Sequence, residues 1–318
     1  MVSASGTRIT WSELPDHVRS AVKGVLGAPV LSAVSQAGGF SPGTADRVVT
    51  ATGGRAFVKA VSPAQNTRSA EMARAELRIT AALPPGTPAP RLLGSFDDGD
   101  WVVLIFEDVE GRHPRTPWVE DELDAAVRAL GDLARALTPA PRPDVPTVAD
   151  HLGRDLDGWR RVAADPPADL DPWAAAHLDD LLAAAERARA ALVGDTLTHC
   201  DIRADNMLLR PDGSLVFVDW PWGCLGPDWL DRTLLATNVL VHGGDGDRIL
   251  VELSDPAAAA DLIVALTGYF IDHARLPPPP GLPTVRAFQR FQAEGLLPWL
   301  RHQVGPPAHP RGAVKPAH

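Results

Sequence analysis

Two hydrophobic periods divide this chain. Up to about residue 110, apolar residues come in short runs bounded by glycine-bearing turns, as strands do. Residues 47–51 and 56–61 flank a Thr52-Gly53-Gly54-Arg55 turn, and residues 91–96 and 101–106 flank Asp97-Asp98-Gly99-Asp100. Two segments of this half carry helical spacing instead. Residues 15–26 form a leading helix with Ser12 as its cap and Glu13 in the turn. Residues 69–83 place Met72, Leu77, Ile79 and Leu83 among Ala, Arg and Glu, and Pro84-Pro85-Gly86 stops that helix. From about residue 112 helical spacing dominates: Leu123, Val127, Leu130, Leu133 and Leu137 make one stripe, and residues 174–192 a second long amphipathic stretch. Short apolar runs at 192–198, 207–209 and 215–218 interrupt it, the last two joined by a Pro211-Asp212-Gly213 hairpin turn. The fold class read from this pattern is α+β. A small β-rich N-lobe with its leading helix covers residues 1–110, and a larger, mostly helical C-lobe covers 111–304. Residues 138–146 and 277–283 are proline-rich connectors, and the 305–318 tail, rich in Pro, His and basic residues, has little to bury and is expected to be disordered.

Charge and cysteine content narrow the class. A net charge of −10 over 318 residues argues against nucleic acid as a partner, because phosphate backbones need a basic surface. The same charge is compatible with a cationic small molecule. With only two Cys, no N-terminal apolar region of the signal type, and a longest apolar run at 262–271 that Thr267 and Gly268 interrupt, the expectation is a cytoplasmic protein with no membrane partner.

The chemistry is concentrated in His199-Cys200-Asp201-Ile202-Arg203-Ala204-Asp205-Asn206, followed by Asp219 in Val216-Phe217-Val218-Asp219-Trp220. A phosphoryl-transfer loop needs a carboxylate to accept the proton of the attacking hydroxyl, and amide and carboxylate oxygens to hold the Mg²⁺ on the nucleotide. Asp201, Asn206 and Asp219 supply those parts in that order, with Asn206 at the entry of the 207–218 hairpin and Asp219 at its exit. Singly, each has a bland reading, since Asp and Asn are common in turns and His199 suits a core histidine. Their joint spacing is what points to catalysis. A Cys200-based thiol or metal site is the weaker idea, as strand neighbours face opposite ways and Cys224 is the only other thiol.

The parts such a loop requires stand upstream. Gly38-Gly39-Phe40-Ser41 opens a glycine-rich turn for phosphates, Lys59 lies in an apolar strand, and the following helix offers Glu76, or Glu71 in its place, as the partner of Lys59. The 101–106 strand runs into a hinge where Glu107 and Val109 would meet adenine through the main chain, with Phe106 at the back of the pocket.

On these residues the chain resembles the aminoglycoside phosphotransferase family across about residues 36–240, most specifically in the His199 to Asn206 loop and Asp219-Trp220. The resemblance implies a two-lobed protein-kinase-like fold and an ATP- and Mg²⁺-dependent phosphotransferase. Gly226-Pro227-Asp228-Trp229-Leu230-Asp231 resembles the family's next element, implying that Asp231, with His199, supports the loop. Arg203 stands where related kinases have a phosphate-touching lysine, which implies charge stabilisation on the γ-phosphoryl group. Cys200 departs from the family's frequent glycine. Eleven residues between Asp219 and Asp231 leave no room for a peptide-docking segment, so the acceptor is expected to be the hydroxyl of a small molecule. An aminoglycoside or amino sugar, a choline- or homoserine-like metabolite, and a nucleotide-binding regulatory module without turnover all stay open. Trp220, Trp222 and Trp229 offer either an acceptor wall or core packing, and Asp228, Asp272 and Glu294 are candidate carboxylates for ammonium groups.

Overall fold

The computed structural model describes residues 8–36, 42–279 and 282–304. The leading helix α1 (Asp16–Leu26) buries Val18 and Val22 and ends at Gly27, whose φ of 73° only glycine adopts at little cost. Ser12 is not its cap. It lies in a separate 3-10 turn, Trp11–Glu13, closed by a Thr10/Glu13 capping box, while Pro15 and Asp16 start α1.

Five antiparallel strands follow: β1 (Val30–Ser35), β2 (Thr44–Thr50), β3 (Arg55–Val61), β4 (Leu92–Asp97) and β5 (Val102–Glu107), in the spatial order β1-β2-β3-β5-β4. Pleating sorts β3 by face. Ala56, Val58 and Ala60 are buried in one cluster with Val18 and Val22 of α1, which leaves Lys59, opposite Leu104 of β5 and Ala45 of β2, on the other side. Helix α2 (Thr67–Thr80) lies between β3 and β4 in sequence and contacts β3 and β5. It starts two residues before the predicted helix because Asn66 caps it, accepting from Ser69 N at 2.8 Å.

The helical lobe comprises α3 (Glu120–Ala136), α4 (Val148–Leu152), α5 (Gly158–Ala164), α6 (Pro172–Ala176), α7 (Leu178–Ala191), α8 (Leu230–Val241), α9 (Asp247–Leu250), α10 (Pro256–Ala274) and α11 (Val285–Gln303). The stretch predicted as one helix over 174–192 is two, broken at His177, whose ring stacks on Trp173 at 4.4 Å. By length and composition α10 is apolar enough to cross a membrane, although the predicted apolar run was shorter. More than half of it, 56%, is buried inside the lobe, where it packs on α5, α7 and α11. Gly158 and Gly268 let α5 and α10 touch backbone to backbone, since a Cβ on Gly158 would stand 2.3 Å from Gly268 C.

Two small ladders lie within the helical lobe. Strands β6 (Thr196–Thr198) and β9 (Cys224–Gly226) pair, as do β7 (Met207–Leu209) and β8 (Leu215–Phe217), around a turn in which Gly213 has φ 82°.

Candidate active site

The loop between β6 and β7 is held from behind. The Asp231 carboxylate at the start of α8 accepts from His199 N at 2.8 Å and Cys200 N at 2.9 Å. These bonds stabilise a backbone that would otherwise resist its shape, because Cys200 has φ 62°. Glycine would take this left-handed conformation at position 200 without the side-chain penalty. His199 is fully buried, its ring 4.6 Å from that of Trp220. Burial lowers its pKa, so the ring is neutral. Asp201 N donates to Nδ1 at 3.3 Å, which assigns the ring proton to Nε2, 2.9 Å from Val218 O.

Asp201 is thereby presented at the loop's turn. Asn206 Nδ2 donates to the Asp201 carbonyl at 2.8 Å and to its carboxylate at 2.9 Å, and Arg203 donates to the other carboxylate oxygen at 3.0 Å. Burial pushes the Asp201 carboxyl up to about 6, with Arg203 opposing and Asp205 and Asp219 adding to the rise. The Arg203 guanidinium also binds Asp205 at 2.9 Å and lies over Phe288, 5.4 Å from the ring centre. Val218 N donates to Asn206 O at 2.9 Å, so the two mouths of the β7–β8 hairpin are tied together and bring Asn206 close to Asp219.

Across the cleft, Lys59 Nζ donates to both Glu76 oxygens at 2.7 and 2.9 Å and to Asp219 Oδ1 at 2.8 Å. Glu71 is exposed and pairs with Arg68, so Glu76 is the partner. Burial disfavours the Lys59 charge, but Asp219 and Glu76 override it and hold the pKa above its ordinary value. Burial raises Glu76, only partly offset by Lys59, whereas Asp219 ends below the usual range because Lys59 outweighs its own burial. Asp219, too, has a left-handed backbone, φ 68°.

Phe57, Lys59, Phe106, Val109, Asn206 and Asp219 line a cavity of about 270 Å³ between the lobes. Phe106 is 4% exposed, with Lys59 Nζ 5.9 Å from its ring centre. Glu107 belongs to β5, and its N–H donates to Arg91 O at 2.9 Å. Arg47 donates to Val109 O at 2.5 Å, so of the two Val109 main-chain groups the carbonyl is already engaged. That clamp escaped the sequence reading, where Arg47 was only the first residue of a strand. Gly38, Gly39, Phe40 and Ser41 lie outside the described residues.

The donor set fits Mg²⁺. With both Nδ2 bonds of Asn206 ending on Asp201, its Oδ1 remains an oxygen donor, and Lys59 engages only Oδ1 of Asp219. Among the described residues no cluster of three His, Cys, Asp or Glu forms a cage, and Mg²⁺ asks for few protein ligands, keeping water and phosphate oxygens.

On the helical side two of the predicted ammonium-binding carboxylates are engaged elsewhere and the third is exposed. Asp272 is buried between Arg161 and Arg275, Asp228 accepts from Ser254 Oγ at 2.7 Å, and Glu294 is exposed. Trp220 and Trp229 are buried in the core and Trp222 packs beside Arg68 and His151. Asp155, in the 3-10 turn between α4 and α5, carried no signal in the sequence; its main-chain carbonyl accepts from Gly158 N, while its half-buried carboxylate has no hydrogen bond among the described residues. Burial raises its pKa to about 6 despite Arg161, and its charge reaches Tyr269, whose own pKa is pushed up to about 12 by burial and then by Asp155, with Asp201 adding.

Comparison with known proteins gives a consistent picture. A sequence model described as the phosphotransferase enzyme family matches residues 37–275. An aminoglycoside 3'-phosphotransferase from Streptomyces fradiae is 33% identical over 135 residues, 40% of this chain and 48% of that relative, so the chain matches about half the relative's length. The crystal structure of choline kinase LicA from Streptococcus pneumoniae superposes with a TM-score of 0.57 at 14% identity, over 89% of this chain and 100% of that one. A thermostable mutant of aminoglycoside phosphotransferase APH(4)-Ia in its apo form gives 0.59 at 15% identity, over 91% and 100%. These likenesses establish the two-lobed protein-kinase-like fold.

Proposed function

The chain belongs to the phosphotransferase enzyme family, and from that premise we propose that it is a small-molecule kinase, transferring the γ-phosphoryl group of Mg²⁺-bound ATP to a hydroxyl. The observation that carries this reading is the Asp201 carboxylate, fixed by Asn206 and Arg203 beside a cavity that also holds the Lys59–Glu76–Asp219 cluster. Phosphoryl transfer asks the protein mainly to position and to place charge, and these residues do both.

Asn206 and Asp219 would hold Mg²⁺, which when bound neutralises phosphate charge. Lys59, fixed by Glu76, binds phosphate oxygens, and the Val109 N–H with Phe106 receives the base. Asp201 accepts the hydroxyl proton as the new O–P bond forms and the bond to the β-phosphate oxygen breaks, with ADP leaving on that electron pair. A positioned base of this kind is worth roughly 10²- to 10⁴-fold in rate. Arg203, between Asp201 and Asp205, keeps the base ionised and offers positive charge to the transferring group. His199 and Asp231 shape the loop from behind.

The acceptor we assign is an amine-bearing alcohol of the aminoglycoside class. Its support is the Asp155 carboxylate, without a hydrogen bond of its own among the described residues and within electrostatic reach of Tyr269, and the Streptomyces fradiae relative. Use of ATP fits a cytoplasmic protein. The test is mass-spectrometric detection of phosphorylated product after incubation with Mg²⁺-ATP and a panel of aminoglycosides, amino sugars, amino alcohols and nucleosides. A product that disappears in Asp201→Ala supports the assignment. Nucleotide binding with no product from any amine-bearing acceptor would remove it.

A further inference from the structure

The cavity has a wall that the catalytic scheme leaves without a role. Besides Lys59 and Asp219, Arg8 lines it. The residue arrives on a segment that precedes every element of the sheet, yet its path is fixed. Arg8 bridges Gly43 in parallel, with Ile9 N donating to Gly43 O at 3.2 Å, and Gly43 itself lies hard against β3, where a Cβ would stand 2.2 Å from Ala60 O. Beyond it, Ile9 and Trp11 pack on the apolar cluster under α1, and Leu14 is 2% exposed. Thr10 N and Oγ1 close on Glu13 at 2.6 and 2.7 Å, and Arg19 reaches Leu14 O at 2.5 Å. The segment is strapped to the lobe.

Gly43 precedes Thr44, which stands opposite Ala60, whereas Phe106 stands opposite Phe57, so Arg8 enters at the end of β3 away from the hinge. The carboxylates that raise its pKa are Asp219 and Asp46, against burial, which lowers it. Asp46 is fully buried with Oδ2 lacking a hydrogen-bond partner. The cation Lys59 already answers two carboxylates at 2.9 Å or less. A nucleoside triphosphate is strongly anionic, and one Mg²⁺ does not neutralise it. We propose that Arg8 is a second phosphate-binding cation, delivered to the nucleotide by the strap and paired with Gly43 at the end of the glycine-rich turn. Arg suits this because its planar fork binds phosphate oxygens in pairs.

This inference rests on the nucleotide reading of the cavity, and the experiment separates the two. Calorimetric titration of the full chain with Mg²⁺-AMP-PNP and, separately, with adenosine compares wild type, Arg8→Ala and Arg8→Lys. Expected is about ten-fold weaker Mg²⁺-AMP-PNP binding in Arg8→Ala, partial recovery in Arg8→Lys, and unchanged adenosine affinity. Unchanged Mg²⁺-AMP-PNP affinity in Arg8→Ala would overturn the inference. An equal loss for both ligands would do the same, making Arg8 part of the wall only. If wild type itself fails to bind Mg²⁺-AMP-PNP, the functional reading falls and takes this inference with it.

Discussion

Asn206 donates its side-chain amide to the Asp201 carboxylate at 2.9 Å, so the residue offered as a metal ligand also grips the base. The two duties separate in Asn206→Asp. That change keeps an oxygen for the cation but sets a second carboxylate against Asp201, and like charges at this range raise the pKa of one of them. The acid limb of the pH profile for kcat/KM should therefore move to higher pH, with kcat reduced at least about 100-fold. A profile that keeps its acid limb while only Mg²⁺ dependence changes would show that the grip on Asp201 is unimportant.

For the unmodified chain, the Asp201 carboxyl near 6 has opposite consequences for rate and stability. As the proposed base, Asp201 works only when ionised, so kcat/KM should fall as pH drops below about 6. The folded state binds this proton more tightly than the unfolded chain, where the carboxyl titrates near 3.8. Asp201 therefore costs nothing below the unfolded value, lowers stability progressively as pH rises between the two, and exacts its full penalty above about 6. Urea unfolding of wild type and Asp201→Asn across that range measures this directly, and the gap between their midpoints should widen with pH.

Much of the site was legible because its chemistry is local in sequence. Asp201, Arg203 and Asn206 share one short loop, and a glycine-tipped hairpin delivers Asp219. Lys59 was legible as a lone charge in an apolar strand, and Glu76 by its depth in a helix that register then set against β3. The Arg47 clamp on Val109, Asp155 and Arg8 were not, because each depends on a contact across the fold that no local period encodes. The break at His177 was hidden for the opposite reason, since alanine-rich sequence on both sides continues the helical pattern.

Lys59→Met leaves Glu76, 4% exposed, without its cation. Removing one partner of a fully buried pair costs about 3–5 kcal/mol, and with Lys59 26% exposed the cost here falls toward about 3 kcal/mol. Because burial already raises the Glu76 pKa, the lone carboxyl takes up a proton more readily than it does unfolded. The defect should therefore be larger at pH 8 than at pH 5, and Lys59→Met/Glu76→Gln should recover most of it. Equal midpoints for the single and double variants in urea at pH 8 would contradict this account.

At position 200 the ordinary ranking of substitutions inverts. Side-chain burial favours alanine over glycine, but φ 62° favours glycine by about 1 kcal/mol. Cys200 gains little from its thiol, whose pKa is raised by Cys224 beside it and by burial, so it stays protonated. Cys200→Gly should match or exceed Cys200→Ala in thermal stability, with kcat retained because Asp231 still holds the loop at both N–H groups. A markedly less stable glycine variant would place the importance of residue 200 in packing.

Asp155 gives the acceptor side its sharpest test. It is a half-buried carboxylate without a hydrogen bond of its own among the described residues, and its charge reaches Tyr269, which in turn feels Asp201. An ammonium group there would favour the ionised form that burial disfavours, so acceptor and carboxylate strengthen each other. On the proposed reading, in which Asp155 meets the acceptor's ammonium group and not the transferring group, Asp155→Asn should raise KM for an amine-bearing acceptor about five- to ten-fold with kcat nearly unchanged. The wild-type KM should also rise as pH falls through about 6, where Asp155 loses its charge, and Asp155→Asn should abolish that part of the pH dependence. Measuring KM at pH 5.5 and 7.5 in both proteins decides the matter: parallel behaviour would remove Asp155 from acceptor recognition.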